Sequence, residues 1–297
     1  MTERLPPPPE HPRSVVYFGS PADAVPALVA LVEAGFEVPL VITMPDRRRG
    51  RRAAPSPTPV KEAALELGIA VSDQISDALT VDADCGVVVA YGELIDTKVL
   101  SLLPMINVHF SLLPRWRGAA PVERALLAGD KKTGVCVMGL EPELDTGPLY
   151  RQCEMNINPT VTATELRAEL ASLGARELVA ALRDGLRDPV TQEGEVSVAK
   201  KIHRADLKLD WTRAATELDR VVRVGGAWTF AGSTVLKVHE TCPVEGTAIP
   251  GKLNGDLVGT GDGLLRLLIV QPEGKSRLKA TAWINGARLG PDTQLGT

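Results

Sequence analysis

The amino-acid sequence predicts an α/β protein in which a parallel, helix-covered sheet is followed by a smaller β-barrel domain of the OB type. Two observations carry this expectation. From Ser14 to Leu140, short apolar runs alternate with helical segments, as when strands are joined by helices that cover the sheet. After the helix expected near residues 212–223, the apolar runs shorten and are punctuated by glycine, which suits the strands of a small barrel.

Residues 1–13 are proline-rich and polar and are expected to form a disordered or polyproline leader. Val15 to Phe18 is apolar and short enough for a buried strand. Ser20 and Pro21 then suit the cap and first turn of a helix through Leu28 to Val32, which stops at Gly35. A strand over 38–43, an irregular basic segment over 44–57, a helix over 58–67 and apolar runs at 69–72 and 85–91 continue the alternation. Next come a strand over 106–110, a helix over 121–128 and a strand over 134–140. Leu166, Leu170, Leu173, Leu178, Ala181 and Leu182 share one broad face at helical spacing within 162–186. The expected organisation is a first domain over 14–195, a connector over 196–210 and a second domain over 211–297, with Trp211, Trp228 and Trp283 in the core of the latter.

Composition excludes several classes. With 44% hydrophobic and 24% charged residues, the chain is globular. It has no run of about 18 apolar residues and no basic start leading into an apolar stretch, so a soluble, unexported, cytoplasmic protein is expected. Cys85, Cys136, Cys153 and Cys242 lack metal or redox spacing. The net charge of -4 combines an acidic first domain with a basic second one, so a polyanion would meet local basic patches.

The densest chemical cluster is Asn107 to Gly118. Strand alternation turns Asn107 and His109 to one face, near the carboxyl end where a parallel sheet binds ligands. Acyl transfer to an amine needs a donor aimed at the developing oxyanion and a group that accepts the amine proton; an amide and an imidazole suit those roles. Asp145 follows the strand ending at Leu140 and is expected to reach the same crevice, where a carboxylate would orient the imidazole. Each residue also fits a structural role: Asn107 satisfying strand-end backbone, His109 bonded in the core, Asp145 capping a turn. Spacing alone does not decide between the readings.

The residues themselves resemble a family. Asn107-Val108-His109, Ser111 to Pro121 and Leu144-Asp145-Thr146-Gly147 are similar to the folate-dependent formyltransferases, and Arg115-Trp116-Arg117-Gly118 to their methionyl-tRNA branch. Phe18 to Pro21, Pro45 to Arg47, Pro57 to Lys61, Val88 to Gly92 and Gly261 to Gly263 extend the likeness over nearly the whole chain. The resemblance implies a Rossmann-like N-terminal formyltransferase domain that takes 10-formyltetrahydrofolate as formyl donor, and an OB-like C-terminal domain. No metal and no nicotinamide are implied, in keeping with the lack of a glycine fingerprint after the first strand. By position, Asn107 and His109 would stabilise the oxyanion, with Asp145 orienting the histidine and assisting proton removal. Ser111, Leu112, Leu113 and Pro114 match the folate-binding loop, and Val88, Val89, Ala90 and Tyr91 the pterin side. The implied acceptor is initiator methionyl-tRNA, and the implied oligomeric state is a monomer.

Arg47, Arg48, Arg49, Arg51 and Arg52 interrupt an acidic domain, and clustered guanidinium groups neutralise phosphates well. The family places its tRNA-entering loop here, with Arg51 matching its foremost arginine. Lys200, Lys201 and Arg204 in the connector, with Lys208, fit either a track for the acceptor stem or solvated charges. Trp116 is expected to pack beneath the site. Phe110 stands where many relatives carry glycine, which is expected to narrow the crevice or reshape its amine-side wall; the arginine loop also lacks the usual lysine pair, and the 224–229 segment is short. Competing readings are a formyltransferase for a nucleotide-linked amino sugar, a formyl-folate hydrolase, and a non-catalytic RNA-binding protein on the same fold.

Overall fold

The computed structural model describes residues 5–48, 54–287 and 293–296. The chain forms two compact units. The first comprises Met1–Pro121, Lys132–Asn156 and Arg167–Ala199, and the second Val122–Lys131, Ile157–Leu166 and Lys200–Thr297.

The chain opens with β1 (Val15–Gly19), α1 (Val25–Glu33) and β2 (Leu40–Ile42), then the short pair β3 (Arg47–Arg48) and β4 (Pro55–Ser56). It continues through α2 (Pro59–Glu66), β5 (Ala70–Ser72), β6 (Cys85–Val89), α3 (Thr97–Leu102) and β7 (Met105–His109). After α4 (Pro121–Ala128) come β8 (Lys132–Gly139), β9 (Leu149–Asn156) and α5 (Ala163–Asp184). Local chemistry accounts for two of the helix starts. Thr58 accepts from Lys61 N at 3.1 Å with proline at the first position of α2. Thr162 and Glu165 exchange hydrogen bonds in a capping box ahead of α5.

The sheet runs β5-β2-β1-β6-β7-β8-β9. It is parallel from β5 to β7, but β8 lies antiparallel to both β7 and β9. The uniformly parallel sheet expected from alternation thus holds for five strands and gives way at one edge. β9 escaped the sequence reading because none of its residues is fully buried and its burial alternates from Arg151 onward, so it lacks the apolar run that marks a central strand. β1, β6 and β7 are buried throughout.

Two sequence expectations change on the first unit. Residues 5–13, part of the stretch expected to be a disordered or polyproline leader, have Pro8 and Pro12 buried. Leu186 N donates to Glu10 O, and Arg13 N and Ser14 N both donate to Asp84, so this extended stretch is tied down. Phe110 does not narrow the crevice. Alternation sends it with Val108 to the opposite face, where both meet the open side of Gly174 in α5.

The second unit holds α6 (Ala215–Val224), the strands β10 (Trp228–Ala231), β11 (Thr234–Val244), β12 (Leu253–Asn254), β13 (Leu257–Gly259), β14 (Leu264–Pro272) and β15 (Leu278–Lys279), and then α7 (Ala280–Ala287). The strands pair antiparallel in the order β10-β11-β14-β13-β12, with β15 on β14. Register shifts beside Glu240 let the long β11 bend, as an OB-like barrel requires. Trp211 and Trp283 are in the core, and Trp211 Nε1 donates to buried Thr229 at 3.0 Å. Trp228 is not in that core: it is partly exposed beneath Arg204, whose guanidinium lies 4.7 Å from the ring centroid. Leu127 of α4 packs against this same core, so the unit draws on a helix from the middle of the first domain's sequence. The expected connector is not free chain either. Arg117 and Ser197 bond within the first unit, while Lys200 O and Lys201 O accept from Arg124 in the second.

Buried Glu177 of α5 binds Arg151 of β9 and Arg176. Burial alone would raise its carboxyl, but the hydrogen bonds from Arg151 and Arg176 outweigh it and hold the group below the usual carboxylate range. A depressed native value stabilises the fold above the unfolded carboxylate range, near pH 4.3, and the effect is lost as pH falls through the native value. Glu177→Gln is therefore expected to lose about 1–3 kcal/mol at pH 7 in denaturant titrations, with wild type and variant converging in acid.

Candidate active site

The carboxyl ends of β1, β6 and β7 lie side by side, because the three strands are parallel neighbours with Gly19 beside Val89 and Asn107 beside Val88. Ser20, expected as a helix cap, makes no such cap. Its hydroxyl instead donates to Tyr91 O at 2.8 Å and accepts from Met44 N at 3.2 Å, tying together the turns that follow three strands.

Asn107 and His109 are buried on β7. The Asn107 side chain makes no hydrogen bond among the described residues. His109 Nε2 lies 2.9 Å from Trp116 O. A carbonyl can only accept, so Nε2 carries the hydrogen and, in the neutral ring, Nδ1 keeps the lone pair. His109 Nδ1 is 3.7 Å from Asp145 Oδ2, with both side chains under a tenth exposed. This is too long for a direct hydrogen bond, and it sets the carboxylate beside the ring nitrogen that keeps the lone pair.

Asp145 arrives by a route that the sequence did not reveal. Because β8 is antiparallel, its end lies beside the start of β7, where Leu140 N donates to Met105 O. The 140–148 loop doubles back along β7 to bring the carboxylate to His109. Gly147 makes that possible: a Cβ there would sit 1.8 Å from Gly139 O. Asp145 itself has a φ of 53°, a region costly for a residue with a side chain. It is held there by Gly118 N, which donates to Asp145 Oδ2 at 2.7 Å, and by Gln192 Nε2, which donates to Asp145 O at 2.9 Å and to Gly147 O at 2.8 Å.

The 111–118 loop is held from two sides. Beneath it, Cys136 Sγ donates to Ser111 O at 3.1 Å and accepts from Leu113 N at 3.4 Å. Burial pushes the Cys136 thiol up to about 11, so it remains the protonated donor this geometry needs. From the other side, Trp116 N donates to Ser197 Oγ at 2.9 Å, Arg117 N donates to Ser197 O, and Ala199 N donates to Arg117 O. Ser111, Leu113 and Pro114 are buried and Leu112 is partly exposed. In the neighbouring segment Val88, Val89 and Tyr91 are buried, while Ala90, with a φ of 46°, is exposed. The Tyr91 hydroxyl is buried without a hydrogen-bond partner among the described residues.

The structure thus brings Asn107, His109 and Asp145 together beside the 88–91 and 111–114 segments. Arg47 and Arg48 are exposed on β3; Arg49, Arg51 and Arg52 lie outside the described residues. Lys200, Lys201 and Arg204 are exposed in the second unit. Ser20, Cys136, Gln192 and Ser197 support the site and escaped the sequence reading. Nothing in the sequence shows this supporting role, because each acts through backbone that only the fold brings near. Among the described residues no group of three or more histidine, cysteine or acidic side chains could hold a metal ion, and no helix is long and apolar enough to cross a membrane.

An uncommitted amide beside an imidazole whose basic nitrogen faces a carboxylate is equipment for acyl transfer, and both parts of the chain match proteins that perform it. Residues 13–182 match the formyl transferase family, and residues 201–288 match the formyl transferase C-terminal domain, so the class of protein is an enzyme that moves formyl groups. Within that class the chain belongs to the methionyl-tRNA formyltransferase family. It is 44% identical over 294 residues to the methionyl-tRNA formyltransferase of Leifsonia xyli subsp. xyli, covering 92% of this chain and 97% of that one. It is 39% identical over 298 residues to the enzyme of that name from Jannaschia sp., covering 95% and 99%. A solved structure of HypX from Aquifex aeolicus in complex with tetrahydrofolic acid shares the fold, with a TM-score of 0.65 and 15% identity over 94% of this chain and 48% of that one.

Thiol chemistry provides a check on the buried support of this site. Burial pushes Cys85 up to about 12 and Cys136 up to about 11, whereas Cys242 is exposed. Brief alkylation of the native protein at pH 7.5, read by peptide mass mapping, is expected to modify Cys242 and to reach Cys85 and Cys136 only after unfolding.

Proposed function

We propose that this enzyme transfers the formyl group of 10-formyltetrahydrofolate to the amino group of initiator methionyl-tRNA, and that Asn107, His109 and Asp145 carry out the transfer. The observation that supports this most directly is the fixed ring of His109, with Nε2–H given to Trp116 O and Nδ1 facing Asp145. The amine nitrogen attacks the formyl carbon, which becomes tetrahedral as its oxygen gains negative charge. The Asn107 amide donates to that oxygen. His109 Nδ1 accepts the proton released by the nitrogen, and Asp145 stabilises the resulting imidazolium. When the carbon–N10 bond breaks, its electron pair stays on N10, which takes the proton from Nδ1. The products are the N-formylated amine and tetrahydrofolate.

Ser111, Leu112, Leu113 and Pro114, together with the backbone of Val88, Val89, Ala90 and Tyr91, form the donor side. Arg47, Arg48, Arg49, Arg51 and Arg52 bind the acceptor end of the tRNA. Lys200, Lys201 and Arg204 contact its stem through phosphates, as their exposed positive charge suits. The enzyme acts in the cytoplasm as a monomer, without a metal.

A panel of amine acceptors tests the assignment: labelled formyl-folate is offered with methionylated initiator tRNA, free methionine and a nucleotide-linked amino sugar. Label is expected on the tRNA; preferential formylation of the sugar would overturn the choice of acceptor, and release of free formate without any amine product would point to a hydrolase. His109→Ala and Asp145→Ala are each expected to lower single-turnover formyl transfer by about a thousandfold or more, with an unchanged far-ultraviolet circular dichroism spectrum. Near wild-type turnover in either variant would rule out a catalytic role for the residue replaced. Arg51→Ala is expected to raise KM for the charged tRNA while leaving formyl-folate binding alone. The deficit should shrink as salt rises and wild-type binding weakens; a defect that does not vary with salt would count against a phosphate contact.

A further inference from the structure

The segment after α5 carries no recognisable motif, yet one of its side chains joins the two loops of the active site. Gln192 Oε1 accepts from both Nε and Nη2 of Arg117, at 3.0 and 2.6 Å. Its Nε2 donates to Asp145 O at 2.9 Å and to Gly147 O at 2.8 Å. One amide therefore uses its acceptor on the loop that carries Trp116 and both of its donor hydrogens on the loop that carries Asp145. Only asparagine and glutamine offer an acceptor and two donors in one planar group. Asparagine is shorter by a methylene.

The loops need such a link. Asp145 has a left-handed backbone with a φ of 53° and Trp116 one of 64°, and each such residue costs about 1–3 kcal/mol unless its surroundings hold it. The carboxylate also stands 3.7 Å from His109 Nδ1, a separation that depends on where the loop of Asp145 sits against β7. Val190 and Leu149 exchange backbone bonds on one side of Gln192, and Ser197 O accepts from Arg117 N on the other. The segment is thus anchored at both ends, and Gln192 is not a side chain on a free coil.

We propose that Gln192 is a positioning residue for formyl transfer: by bridging Arg117 to the Asp145–Gly147 backbone, it fixes the Asp145 carboxylate against the His109 ring. This rests on the catalytic roles proposed above for His109 and Asp145. Gln192 touches neither the histidine nor a reacting atom in this arrangement, so its effect passes through the geometry of the carboxylate. A displacement of about 1 Å at a catalytic group can cost on the order of a hundredfold in rate.

Gln192→Glu separates the two halves of the bridge. It keeps an acceptor for Arg117 and strengthens that half by charge, but removes both donors and sets a carboxylate against two carbonyl oxygens. Gln192→Ala removes both halves. Both variants are expected to lower kcat about 10- to 100-fold, with KM for formyl-folate and for the acceptor changed less than about threefold. The 15N resonances of the His109 ring should move in both, because the charge facing Nδ1 moves. If Gln192→Ala does not fold, Gln192→Glu alone decides. Wild-type kcat in folded Gln192→Glu, unchanged His109 resonances, or a loss confined to KM or to thermal stability would each overturn the proposal. Each variant is compared with wild type on whichever amine the wild type formylates. A wrong acceptor assignment would therefore appear in the wild type alone, and the ratio would still judge Gln192.

Discussion

The carbonyl of Trp116 is the contact on which the site depends. Because it can only accept, it settles which ring nitrogen of His109 is protonated, and so which one faces Asp145. That carbonyl is aimed by a residue with a φ of 64°, a conformation that the sequence Arg-Trp-Arg would not adopt unaided. Ser197 accepts from the Trp116 N–H, and Arg117 pairs with 197–199, so the aim is imposed by a distant segment. Asn107 needs less support, since strand alternation alone turns it to the crevice.

The antiparallel turn of β8 has a comparable consequence. In a wholly parallel sheet, the loop after β8 would emerge at the carboxyl edge beside His109, and Asp145 would have a short path. Here the loop starts at the far end of β7 and must return along it. The return is tight enough to demand glycine at position 147 and a left-handed residue at 145. The family-like Asp-Thr-Gly sequence thus has a structural reading alongside its chemical one: the aspartate supplies the carboxylate, and the glycine supplies the room for its loop.

How much of this was legible follows from the range of each interaction. The parallel core was readable because β1 and β6 are continuous apolar runs and helical segments separate them from the strand that carries Asn107 and His109. Asn107 and His109 were readable because a period of two residues decides their face. Asp145 was expected beside His109 because it follows a strand read as parallel; it lies there, but β8 is antiparallel and the path is different, since a strand's direction depends on its partners and not on its own residues. Ser20 illustrates the limit most clearly. A serine before proline at the start of a helix is a reasonable cap, and only the convergence of three strand ends makes Tyr91 O and Met44 N its better partners. Phe110 was misjudged for a related reason: the space it fills belongs to Gly174, far along the chain.

Left-handed backbone at residues with side chains is concentrated at this site, in Ala90, Trp116 and Asp145, with Asp188 the other instance among the described residues. At about 1–3 kcal/mol each, such strain persists only where the surroundings over-determine it, and here they do. Ser20 bonds the turn containing Ala90, Ser197 bonds Trp116, and Gly118 with Gln192 bonds Asp145. Supports of this kind act before any substrate arrives. Transition-state stabilisation then draws on dipoles already in place, and the binding energy of a large acceptor is not consumed in assembling the groups that act on its amine. On the function proposed above, selectivity for the acceptor would reside in exposed charges such as Arg47 and Arg48, leaving the buried chemistry common to different amines.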